Sequence, residues 1–288
     1  MNRRTVVLAV AVVLTVVWSI FPIYWMLNIS LMNEPDVLNR PPNWVPNPLT
    51  FNHYTSIIGW TKELSRIVSG QEQSIRRGIV NSFIVGTSSS LIAMALATLG
   101  AYAFARFQFR FKGGYFFMLL LSRMLPPVSI IVPYYLIFSR SHLVGTHVGL
   151  IITYVAALIP INIWLLLGIF SSLPIEVESS ARVDGCGRLK TYSSVVLRMA
   201  SAAIISMGLL AFGTIWNDFT YAQLIAAGSP AQTLQSSISG LFAHYVVFSL
   251  TGAAVTIGMV PSIILIIIFG RRITQLRGLG SMTLREAA

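Results

Sequence analysis

The sequence predicts an all-α membrane protein with six transmembrane helices. Its composition is 55% hydrophobic and only 10% charged, where soluble domains carry about 25% charged residues. Mean hydropathy is +0.74. Apolar runs near the ~20 residues that cross about 30 Å of hydrocarbon recur along the chain, at 6–31, 79–105, 115–138, 149–170, 199–225 and 250–270. The 288 residues read as one membrane domain, 1–288, with an external loop at 32–78, a cytoplasmic loop at 171–198 and a cytoplasmic tail at 271–288.

The first run follows Asn2-Arg3-Arg4. It is longer than a signal-peptide core and has no small-residue cleavage site, so it reads as an uncleaved span. The external loop holds Arg40-Pro41-Pro42-Asn43-Trp44-Val45-Pro46-Asn47-Pro48, whose prolines fix extended backbone and remove amide donors. An ordered loop with short helices is expected there. In the third run, Arg123 lies about eight residues in, near 12 Å of rise, just before Pro126-Pro127. A charge at that depth faces a cavity, a partner helix or a counter-charge rather than lipid. It serves either a translocation path or a structural pairing with carbonyls or a partner chain. Residues 232–248 read as a short interfacial helix.

The formal net charge of +11 does not point to nucleic acid, because no basic face with interleaved aromatics is visible. The basic residues act instead as topology signals. Segments 2–5, 106–114, 171–198 and 271–288 hold thirteen of the twenty Lys and Arg residues. The positive-inside rule puts these segments and both termini on the cytoplasmic side. No phosphate-binding loop occurs, since Lys62, Lys112 and Lys190 all lack a preceding glycine. Cys186 is the single cysteine, and His53, His142, His147 and His244 are scattered. The histidines read as solvated or interfacial, and no cofactor, metal or catalytic cluster is expected in this chain. A membrane enzyme therefore lacks its chemistry, and a secondary carrier lacks the inverted repeats or midplane carboxylates of ion coupling.

Between the fourth and fifth runs lies Leu173-Pro174-Ile175-Glu176-Val177-Glu178-Ser179-Ser180-Ala181-Arg182-Val183-Asp184-Gly185-Cys186-Gly187-Arg188. It is too polar for lipid and reads as a helix, a glycine break and a second helix. Pro174 suits the helix start, Glu176 and Glu178 complement the positive dipole, and Gly185 permits a sharp turn. This loop resembles that of the inner-membrane permease subunits of carbohydrate-uptake ABC importers, the maltose and trehalose group. Their pattern, approximately Pro-x-Glu-x-Glu-Glu-Ala-Ala-x-x-Asp-Gly-Ala, is matched at Pro174, Glu176, Glu178, Ala181, Asp184 and Gly185. Ser179 and Ser180 stand where that family has its signature glutamate and first alanine. Asn81-Ser82, Pro126, Pro133, Trp164 and Trp216-Asn217-Asp218-Phe219 are further landmarks in the same order.

The resemblance implies the type I ABC importer (MetI-like) permease fold in a bacterial inner membrane. It also implies a second homologous permease, two ATPase subunits that bind the ATP and magnesium, and an extracytoplasmic solute-binding protein. In that picture Pro174, Glu176, Glu178, Ala181, Asp184, Gly185 and Arg188 couple the spans to the ATPases, and Cys186 fills a small-residue packing position. Arg123, Tyr134, Tyr135, Asn217 and Asp218 are candidates for the path of a sugar, oligosaccharide or polyol. Packing or interfacial anchoring is the alternative role for the two tyrosines and for Asn217 and Asp218.

Overall fold

The structure is a computed structural model that describes residues 3–60, 66–242 and 246–283, with no strand among them. The first apolar run forms α1 (Arg3–Ser30), and the proline-rich segment supplies α2 (Glu34–Val37) and α3 (Asn52–Ile58). Then come α4 (Arg66–Arg106), α5 (Lys112–Leu121), α6 (Pro127–Arg140) and α7 (His147–Ser172). The polar loop forms α8 (Ile175–Val183) and α9 (Arg188–Thr191), continuing through a π-helical turn at Tyr192–Val196 and α10 (Leu197–Met199) into α11 (Ser201–Trp216). The chain goes on as α12 (Thr220–Ala226), α13 (Leu234–Gly240) and α14 (Phe248–Thr283).

Four segments are each long and apolar enough to span a membrane: Arg4–Ser30, Gly70–Arg106, His147–Ser172 and Phe248–Ile268. Arg188–Met199 and Ser201–Trp216 meet that test only as a pair, bent by 77°, which makes them a broken span or a re-entrant loop. The third expected span is not one helix, because α5 ends at Leu121 and α6 starts only at Pro127. Pro126 sits there with extended backbone, ψ 137°. A proline donates no amide and pushes the residue before it out of the helical region, so Pro126-Pro127 divides the run. The fifth expected span likewise stops at Trp216 and resumes at Thr220. In the tail, helix continues through Thr283, while 284–288 lie outside the described residues. Of the expected interfacial helix, Leu234–Gly240 is helical; 243–245, with His244, lie outside the described residues.

Contacts divide the chain into two units, Met1–Ile79 with Leu234–Ile263, and Val80–Thr233 with Ile264–Ala288. In the first, Glu34 caps the start of α14. Its carboxylate accepts the amides of Phe248 and Ser249, both at 2.9 Å, and the Ser249 hydroxyl at 2.6 Å. The orphan amides of a helix start and its positive dipole end suit a carboxylate. Ser30 and Tyr54 join their hydroxyls at 2.6 Å, which ties α3 to the end of α1. His53, expected to be solvated or interfacial, is 5% exposed. Its Nε2 lies 3.2 Å from the Met32 carbonyl oxygen, because α3 turns that face onto the chain that leaves α1.

The second unit packs α4 against α7. Ala93, Ala97 and Ala101 are fully buried at four-residue spacing, forming a small-residue stripe of the kind that lets helices approach closely in lipid. Gly100 belongs to the same approach, since a Cβ there would lie 2.7 Å from Ile163. The core continues through Leu150, Tyr154, Leu158, Ile163, Leu166 and Phe170 of α7. At the start of α7, His147 Nε2 meets Asn81 Oδ1 at 2.8 Å. The Asn81 amide donates to the carbonyls of Pro230 and Gln232, both at 2.8 Å.

Two measurements check the first unit. A Cβ at Gly252 would lie 2.9 Å from the Met26 carbonyl oxygen and 2.8 Å from the Ile29 side chain. Gly252→Leu should therefore cost about 1–3 kcal/mol, seen as a lower thermal midpoint in detergent. Burial lowers the pKa of His53 from its ordinary value of 6.5, against the smaller raising effects of the Met32 carbonyl and Glu34. Folded and unfolded chains are equally neutral well above that value. As pH falls below it, the unfolded chain takes up a proton that the folded one resists, so stability declines until pH drops below the folded value. Protection of the α3 amides, corrected at each pH for the intrinsic exchange rate, should fall as pH drops from about 7.5 to about 5.5, and His53→Gln should flatten that dependence.

Candidate functional site

The polar loop folds as a helix, a glycine turn and a second helix. Pro174 is the N-cap of α8, with Glu176 and Glu178 in the first turn and Arg182 in the last. At the other end the Gly185 amide donates to the Arg182 carbonyl at 3.1 Å and the Cys186 amide to the Ala181 carbonyl at 3.0 Å. These two bonds make a Schellman stop, which needs a left-handed residue between them. Gly185 supplies it, with φ +84°. Asp184 is left exposed, Cys186 is half-buried, and Arg188 opens α9.

The two faces of α8 differ. Glu178 points inward and is 5% exposed. Its Oε1 accepts from Arg106 Nε at 2.6 Å and its Oε2 from the Tyr102 hydroxyl at 3.1 Å. Arg106 Nη2 donates to the Leu173 carbonyl at 3.0 Å, so one guanidinium holds both α8 and the residue that precedes its cap. This is the one ion pair among the described residues. Tyr102 also packs on Tyr192 of the π-helical turn at 5.0 Å, and the Tyr192 hydroxyl bonds Thr98 at 2.9 Å. α4 thereby grips the loop at two successive points.

The other face is open. Ile175, Glu176, Ser179, Ser180, Val183 and Asp184 line a shallow hollow. Ser179 turns its hydroxyl back onto the Ile175 carbonyl at 3.0 Å, so the position of the family's signature glutamate presents little beyond a methylene. Glu178 does not reach that face, and Glu176 and Asp184 are its carboxylates. Ala181 is half-buried.

The second group of candidates is only partly brought together. Arg123 occupies the break between α5 and α6, where Nη1 donates to the Ala157 carbonyl of α7 at 2.8 Å. Tyr134 packs on Phe138 at 5.9 Å and on Tyr221 at 6.5 Å. Tyr135 is turned about 100° away and is 42% exposed, so the two tyrosines do not form one platform. Asp218 is a helix cap: its Oδ2 accepts the Tyr221 amide and the Tyr154 hydroxyl, both at 2.9 Å, and the Ala222 amide at 3.4 Å. Asn217 is exposed at the end of α11, and its amide donates to the Gly213 carbonyl at 2.8 Å.

Sequence reasoning missed Tyr102, Arg106, Tyr154 and Tyr221. Arg106 read only as a topology charge. A tyrosine inside an apolar run is the usable signal, because its hydroxyl needs a partner in hydrocarbon.

Comparison with known proteins bears on the family and the fold. Residues 93–276 match the family model described as binding-protein-dependent transport system inner membrane component. The sulfoquinovosyl glycerol transport system permease protein SmoH of Agrobacterium fabrum is 27% identical over 269 residues, covering 92% of this chain and 90% of that protein. A putative ABC transporter permease protein, ORF1, of Streptomyces antibioticus is 31% identical over 205 residues, with 71% and 90% covered. The trehalose/maltose transport system permease protein MalG of Thermococcus litoralis is 26% identical over 275 residues, with 94% of each covered. Among solved structures, a bacterial ABC transporter involved in import of the acidic polysaccharide alginate superposes with a TM-score of 0.77 at 18% identity. That likeness covers 94% of this chain and 98% of the other, and it establishes the ABC importer permease fold.

Removing one partner of the Arg106–Glu178 pair leaves a buried charge unmatched, which costs about 3–5 kcal/mol. Glu178→Ala and Arg106→Met should each lower the thermal midpoint of the purified protein. Arg106→Met with Glu178→Leu should recover a large part of the loss, and a double variant no better than either single one would count against the pair.

Proposed function

This chain belongs to the family of binding-protein-dependent transport system inner membrane components, and from that premise we propose that it forms half of the translocation path for a sugar, oligosaccharide or polyol. It is a multi-pass inner-membrane permease subunit of an ABC importer and not an enzyme. A second homologous permease completes the path, a solute-binding protein delivers the substrate, and two ATPase subunits bind ATP and magnesium. Both termini and α8 lie on the cytoplasmic side. The sugar assignment is supported by relatives that include permeases of trehalose/maltose and diacetylchitobiose systems.

One observation carries the mechanism: α8 has one face fastened to a membrane helix and the other face open. Closure of the ATPases on ATP pushes the open face, on which Glu176 and Asp184 meet the ATPase surface. Pro174, Ala181 and Gly185 set the start, packing and end of the helix. Glu178 carries the displacement into α4 through Arg106 and Tyr102, and Arg188 belongs to the helix that continues it toward the bend before α11. The spans then exchange inward-facing and outward-facing states by alternating access. Arg123 lies in the α5–α6 break and Tyr134 about two turns into α6, and both belong to the path. Tyr135 and Asn217 border it, and Asp218 shapes it by fixing α12.

Reconstitution with the ATPase, the second permease and the binding protein, using labelled trehalose, maltose and diacetylchitobiose as probes, tests the assignment. ATP-dependent uptake of a probe is expected. Uptake by the purified chain alone without ATP would overturn it. Gly185→Val forces a β-branched residue into left-handed backbone, at about 1–3 kcal/mol. It should lower uptake at least several-fold while ATP hydrolysis by the assembly persists.

A further inference from the structure

Beside the open face of α8, and sharing Ile175 with it, lies a small cavity of about 120 Å³, whose lining also includes Tyr102, Arg106, Phe107, Glu178, Arg182 and Arg188. Three guanidinium groups meet one carboxylate there. Arg106 already serves Glu178 and the Leu173 carbonyl. Arg182 and Arg188 have no carboxylate within ion-pair distance among the described residues. Arg188 is held over the Phe107 ring, 5.6 Å from its centroid, which aligns the guanidinium without neutralising it.

We propose that this cavity binds a phosphate group through Arg182 and Arg188, and that an anionic phospholipid headgroup supplies it. A guanidinium is a planar fork of donors matched to phosphate oxygens. The cavity equals on the order of four water volumes, room enough for a tetrahedral phosphate. Charge favours the lipid: the apolar helix Gly70–Arg106 ends beside the cavity, and clustered arginines at the end of a span attract anionic headgroups. A carboxylate of a docking subunit is the competing occupant, since Ile175 lines both the cavity and the open hollow, and the test separates the two. A bound phosphate bridges α8 and α9 across the end of α4 and stiffens that corner.

The test is lipid retention by the full chain, purified with its complex in zwitterionic detergent and read by native mass spectrometry. Phosphatidylglycerol should be retained over phosphatidylcholine. R182Q/R188Q should lower that retention on the order of tenfold, while R182K/R188K keeps part of it and so excludes simple misfolding. Equal retention of both lipids by wild type and R182Q/R188Q would overturn the site. Retention of inorganic phosphate with no preference between lipids would overturn the lipid source alone. Loss of ATPase subunits from R182Q/R188Q with lipid retention intact would also overturn it, assigning the arginines to an acidic protein face. Binding is read without transport, so its failure leaves the importer assignment standing.

Discussion

A carboxylate removed from water needs donors that compensate for its lost hydration, and at Glu178 two side chains of α4 provide them. Arg106 ends α4, Tyr102 lies one turn before it, and the Leu173 carbonyl consumes a further guanidinium donor. Release of any one member leaves the others buried without a match, a heavier penalty than the pair's net worth. The loop is thus held as a rigid extension of a membrane helix. The coupling role we propose for the loop relies on that rigidity: an element that flexed against its own helix would dissipate the push it receives.

The same rule, that polar groups in an apolar setting find partners within the chain, governs the interruptions of the spans. Pro126-Pro127 ends helical pairing between α5 and α6, and Arg123 at that break turns to the Ala157 carbonyl. Asp218 satisfies the first amides of α12 where α11 stops, and takes the Tyr154 hydroxyl as well. Both breaks place polar side chains where a continuous helix would present only apolar ones.

Much of this was legible in sequence. The apolar runs give the long helices, and the spacing of Pro174, Asp184 and Gly185 gives the helix–turn–helix of the loop, because caps and left-handed glycines are local chemistry. The division of the third run was legible as a weakness at Pro126-Pro127 but not as a full break, which depends on what surrounds it. The direction of Glu178 was not legible. Glu176 and Glu178 look alike along the chain, and only the packing of α8 against α4 decides which one is buried. Asp218 shows the converse: beside the local amides of Tyr221 and Ala222, this path candidate is held by the Tyr154 hydroxyl, 64 residues away, which its neighbours in sequence do not announce.

The cap that Glu34 forms on α14 joins residues 214 positions apart. In a chain made and inserted from its N-terminus, that carboxylate emerges early and has no helix start to satisfy until almost all the remaining sequence has followed. The first unit is therefore completed last, by a segment that arrives after the whole of 80–233 has been synthesised. A chain lacking α14 would leave Glu34, the first residue of α2, without the amides and hydroxyl that it accepts.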